Sequence, residues 1–198
     1  MRTTAWILFI FVSGCAFLQS DTCQVIADNK KNSSYSRSIL KNTDWTSTEQ
    51  AIILDMTATE SLNTYQGSAH SLLVKVFLLS DKTNFLKMVA TPSGITKLLD
   101  SQYNHSSIVE ETVYTLYPSD TRSVELDRPS GVKYVAFVSG FYKLAPSLVT
   151  AIEVFPVVDT TPWYSFEKEN LEVKKIVLEL IFGSKGLKVI SRKECDIT

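Results

Sequence analysis

The sequence predicts a mainly β domain, a β-sandwich with one small helical insertion near residues 82–104. Three observations predict it. Apolar and polar residues alternate in about eight short segments, the period of strands with one buried face. The spacing turns helical in one place inside that run. Clusters rich in Pro and Gly separate the segments at short intervals, as sandwich topologies require.

The chain opens with a leader. Met1-Arg2 is a short positive end, Ala5 to Val12 is an apolar core, and Ser13-Gly14 are small. These are the three parts of a secretory signal over residues 1–14. The apolar core is too short to span a bilayer, which takes about 20 residues. Val12-Ser13-Gly14-Cys15 resembles the lipobox of bacterial lipoproteins. That resemblance implies a diacylglyceryl group on the Cys15 thiol and a tether in membrane lipid. One acyl chain binds marginally, whereas two or three hold firmly. Ala16 follows the cysteine where an Asp would favour the inner membrane, so the lipoprotein pattern points to the outer membrane, facing the periplasm. Two other readings stand beside this one. One is an ordinary secretory signal that contains a Cys. The other is a secreted glycoprotein using the sequons Asn32-Ser33-Ser34 and Asn104-His105-Ser106.

Residues 15–50 read as a lipid-anchored polar spacer, and residues 51–198 as the domain. Cys23 and Cys195 are left in an oxidising compartment, where they can form a disulfide or remain thiols. Within the domain, Ile52, Leu54, Met56 and Ala58 share one side of the first strand. After a polar break, Leu72 to Leu79 reads as a central strand with Leu72, Val74, Val76 and Leu78 on one face. Asp81 then caps a helix carrying Phe85, Leu86, Met88 and Val89. Thr91-Pro92 restarts it, since Pro is tolerated at the first helical position. Extended segments follow over Glu111 to Tyr117, Arg122 to Asp127, Lys133 to Ser139 and Leu148 to Phe155. Val173 to Phe182, Gly183-Ser184-Lys185-Gly186 and Leu187 to Ser191 read as a closing hairpin.

The net charge is −1 and no basic stripe appears, which argues against nucleic acid as a partner. His70 and His105 are the only histidines, and they lack zinc spacing. No Gly-x-Ser-x-Gly or phosphate-cradling glycine loop is present, so the sequence predicts no enzyme and no cofactor. Glu110 and Glu111 would point to opposite faces of a strand and read as surface charge. Trp45, Trp163 and Tyr164 read as packing anchors or as contacts for a small ligand or a partner.

The stretch His70 to Asp81, the helix around Phe85, Tyr117 to Arg122 and Tyr134 to Tyr142 carry a wider likeness. In that order, behind a lipobox, they resemble the outer-membrane lipoproteins of type VI secretion, the TssJ (SciN, VasD) family. The chain departs from the family pattern at Ser71, Pro118-Ser119-Asp120 and Ser139-Gly140, and its tail beyond Thr160 is long. The resemblance implies a transthyretin-like β-sandwich and a structural role in the secretion membrane complex. It implies a partner, the periplasmic domain of the IcmF-like protein TssM. It maps the partner-binding loop to Tyr65, Gln66, Gly67, Ser68, Ala69 and His70. The competing reading is a lipid-anchored protein that binds a sugar or a metal.

Cells fed radiolabelled palmitate should label the native chain and leave a Cys15→Ser chain unlabelled. A native chain that takes up no label and fractionates with soluble envelope proteins contradicts the tether.

Overall fold

The computed structural model describes residues 34–161 and 170–193. Helix α1 (Ser34–Asn42) leads into β1 (Thr48–Ala58) and β2 (Leu72–Leu79). Helices α2 (Thr83–Val89) and α3 (Pro92–Leu99) follow, then β3 (Ile108–Leu116), β4 (Thr121–Arg128) and β5 (Tyr134–Ser139). A single helical turn, α4 (Pro146–Val149), precedes β6 (Thr150–Val154). The chain continues through β7 (Val157–Asp159), β8 (Leu171–Val173), β9 (Ile176–Phe182) and β10 (Leu187–Lys193). Two four-stranded sheets make the sandwich, ordered β10-β9-β1-β4 and β3-β2-β5-β6, and β7 pairs separately with β8.

The alternation expected of β1 is realised: Ile52, Leu54, Met56 and Ala58 are buried and Asp55 is exposed. β9 lies parallel to β1, with Ile52 beside Ile176 and Ala58 beside Phe182. Residues side by side in a ladder share a face, so Ile176, Leu178, Leu180 and Phe182 enter the same core. The tail beyond Thr160 therefore supplies a central strand of one sheet. β10 folds back on β9 as the expected hairpin.

β2 is central in the other sheet, between β3 and β5. Val74, Val76 and Leu78 are buried on one face. On the other, Phe77 meets Phe85 of α2, with ring centroids 6.0 Å apart. Two covered faces explain a nearly continuous apolar run in place of strict alternation. The two helices of the insertion start where expected, α2 just after Asp81 and α3 at Pro92. Asp81 Oδ1 accepts from Thr83 N–H at 2.7 Å, and Thr91 Oγ1 accepts from Gly94 N–H at 3.1 Å. At Gly94 an added Cβ would lie 2.0 Å from the Met88 carbonyl oxygen, so only glycine lets α3 turn this closely on α2.

Lys75 stands on the helix-covered face of β2 and is 2% exposed. Its ammonium donates to the Glu111 carboxylate and, at 3.0 Å, to the Asp100 carbonyl just past α3. A cation at a helix C-terminus also meets the favourable end of the macrodipole. Glu111 is thus the partner of a buried cation rather than the surface charge expected, whereas Glu110 on the other face is exposed. The pair holds the insertion to the sheet.

Three segments differ from expectation. The folded chain starts earlier than residue 51, because α1 buries Ile39 and the following turn buries Trp45. Leu148 and Val149 belong to a helical turn rather than a strand, since Pro146 at its start sets a helical φ. β7 and β8, three residues each, are too short to show a period in the sequence. The cysteines Cys15, Cys23 and Cys195, together with Trp163 and Tyr164, lie outside the described residues.

Removing one partner of a buried ion pair strands the other charge. Glu111→Ala should cost about 3 kcal/mol, and Lys75→Met with Glu111→Leu should recover most of that loss, measured by urea unfolding. A Glu111→Ala cost below about 1 kcal/mol would show that the pair does not hold the insertion.

Candidate functional site

The loop joining β1 to β2 is built on Asn63. This residue is 4% exposed and has φ 46°, a left-handed conformation that Asn tolerates better than most residues. Its backbone N–H donates to the Gly183 carbonyl at 3.1 Å, and the next N–H, of Thr64, donates to Ser184 O at 3.0 Å. Its side-chain amide donates to Ser71 O at 3.0 Å, while its Oδ1 accepts from Tyr142 N–H at 3.0 Å. One buried side chain thus ties the loop to itself and to the segment after β5. Its backbone ties the loop to the β9–β10 turn.

The residues singled out in the sequence form the tip. Tyr65 and Ser68 exchange backbone hydrogen bonds of 2.9 and 3.0 Å. The two residues between them, Gln66 at φ 49° and Gly67 at φ 81°, both have positive φ, as a type I′ turn demands. Glycine takes that geometry freely. Glutamine does not, so Gln66 stores backbone strain at an exposed point of the loop. Ala69 is exposed beside it. His70 N–H donates to Leu62 O at 3.0 Å. The His70 Nδ1 lies 2.9 Å from Ser68 O. A carbonyl only accepts, so the proton sits on Nδ1 and Nε2 is left as an acceptor in the neutral ring.

Tyr142 completes the surface. Its ring stacks on Tyr65 with centroids 4.4 Å apart and planes 18° from parallel. The His70 ring meets Tyr142 edge-on at 5.1 Å and 77°. Such pairs are each worth roughly 0.5–1.5 kcal/mol beyond their buried area. Sequence reasoning found the loop and missed Tyr142. The register explains why: Ser139 of β5 pairs with Val74 of β2, so the end of β5 emerges beside the start of β2. No local pattern reports that meeting.

Seven large apolar side chains are exposed among the described residues, and four of them, Tyr65, Tyr117, Tyr142 and Leu148, lie at this one end of the sandwich. Concentration of exposed rings at one place marks a contact surface better than single exposed residues do. The opposite end is closed differently. Trp45 is buried there, its indole N–H donating to Leu40 O at 3.0 Å. Arg128 lies 5.5 Å from the Trp45 ring and 5.5 Å from Phe155. It donates to Thr48 Oγ1 at 2.9 Å. Burial lowers the Arg128 pKa, partly opposed by Asp44. Trp45 is therefore a packing anchor and is not presented to a ligand. His105 is engaged locally, its Nδ1 accepting from Ser107 N–H at 3.1 Å.

These features define a class: a β-sandwich scaffold with helices on one outer face and a hydrogen-bonded aromatic loop at one end. The chain belongs to the family of type VI secretion lipoproteins (VasD, EvfM, TssJ, VC_A0113), whose model matches residues 50–176. The fold is that of the type VI lipoprotein TssJ1 from Pseudomonas aeruginosa. The two superpose with a TM-score of 0.54 over 74% of this chain and 96% of that one, at 18% identity. Lip from Serratia marcescens, a membrane-bound component of the type VI secretion system, gives a TM-score of 0.52 over 70% and 96%, at 15% identity. No curated protein sequence matches the chain.

Proposed function

We propose that this chain is a structural lipoprotein of the type VI secretion membrane complex. Lipid on Cys15 holds it at the outer membrane, and the loop Tyr65 to His70 binds the periplasmic domain of TssM. Family membership supports the setting. The observation that carries the binding role is the stacked Tyr65–Tyr142 pair, held by backbone bonds and yet half exposed. Rigid aromatic rings lose little entropy on docking, which is why they anchor interfaces.

The placement of the two ends supports anchoring. The chain enters the sandwich at the Trp45–Arg128 end, where Gly131 N–H donates to Trp45 O at 2.8 Å. β1 and β2 then carry the chain to the far end and back, so the aromatic loop sits at the pole opposite the entry. Eight residues of β2 put the poles about 25 Å apart. A tether at the first pole leaves the second directed away from the membrane.

The test is titration of the domain with the purified periplasmic domain of TssM. Tyr65→Ala should weaken binding at least tenfold, with little change in Tm because the ring is half exposed. Unchanged affinity in a folded Tyr65→Ala protein removes the loop from the interface.

A further inference from the structure

The aromatic pole is electrically lopsided. Lys143 follows Tyr142 directly, and Lys185 sits in the β9–β10 turn whose carbonyls hold Asn63 and Thr64. Both lysines are exposed, and neither makes an ion pair among the described residues. Their two segments are in contact. At Gly186, in the same turn as Lys185, an added Cβ would fall 2.8 Å from the carbonyl oxygen of Leu148, in α4 a few residues after Lys143. The stacked rings, Leu148 and the segments carrying the two lysines therefore share one side of the pole.

The acidic groups sit on the other side. Glu60 is exposed at the start of the loop, near the β3–β4 turn, where Ser119 N–H donates to Thr59 O at 3.4 Å. Asp120 belongs to that turn, and its Oδ2 already accepts from Tyr117 N–H at 2.8 Å. The rings thus have the two lysines alone on the α4 side, whereas toward β4 the carboxylates of Glu60 and Asp120 stand beside the Arg122 guanidinium.

We infer that the docking pole selects a protein partner whose apolar hollow, receiving Tyr65 and Tyr142, carries acidic residues on the rim facing Lys143 and Lys185. This rests on the reading that the Tyr65 loop is the docking surface, and it adds the chemistry of what docks. Rim charges mainly steer encounter and set orientation, so the lysines should act on association rate and salt dependence. A protein rim is favoured over anionic lipid because this pole lies opposite the chain's entry.

The experiment compares the intact domain with Lys143→Glu, Lys185→Glu, the double variant and Tyr65→Ala. Each is titrated with the TssM periplasmic domain at low and high salt, and each is sedimented with phosphatidylglycerol vesicles. The double variant should bind roughly tenfold more weakly at low salt, chiefly through a slower on-rate, and the difference should shrink at high salt. Lysine variants that bind like the native domain, beside a weakened Tyr65→Ala, overturn the acidic-rim inference and leave the loop reading intact. Native affinity in Tyr65→Ala defeats the loop reading itself. Vesicle binding that the lysine reversals abolish overturns the inference in favour of a lipid surface.

Discussion

The parallel pairing of β1 with β9 is the constraint on which the rest depends. It joins the first strand of the sandwich to one formed more than a hundred residues later, with residues 52–58 beside residues 176–182. A parallel pair needs a long crossover, and here the whole second sheet with its helices lies between the partners. The pairing fills one inner face of the sandwich with Ile176, Leu178, Leu180 and Phe182. It also fixes where β9 ends. Gly183 and Ser184 come to rest beside Asn63 and Thr64, and their carbonyls support the loop backbone. A slip of one residue would both expose the β9 core residues and remove those supports.

The same frame sorts the molecule's polar investments. Lys75 and Glu111 attach the helical insertion to one outer face, and Arg128 fixes the entering chain between Trp45 and Phe155. Asn63 fixes the loop at the far pole. Lys75, Arg128 and Asn63 are buried polar side chains with hydrogen bonds made inside the protein, as burial demands. The exposed rings at the loop pole thus stand on a backbone whose hydrogen bonds are already made within the protein.

Much of this was legible in the sequence because local rules suffice for it. The alternation from Ile52 to Ala58, the apolar run from Leu72, and the helix starts after Asp81 and at Pro92 each need only neighbouring residues to be read. What stayed hidden depends on partners distant in sequence. The parallel direction of β9 cannot be read from its own pattern. Glu111 looked like a surface charge because nothing nearby announces a buried lysine on the adjacent strand. Tyr142 joined the site only through the register of β2 with β5. Trp45 marks a packed turn inside a stretch whose polar composition suggests a spacer, since a single buried indole beside Arg128 can order a polar segment.

The central claim is that the pole carrying Tyr65 and Tyr142 meets the partner while the pole carrying Trp45 and Arg128 faces the tether. Hydrogen exchange of the domain, alone and saturated with the TssM periplasmic domain, tests it most directly. The account predicts slowed exchange confined to the amides of residues 60–71 and 140–148. Slowing at residues 43–48 and 128–132 instead, with the loop unaffected, would contradict it.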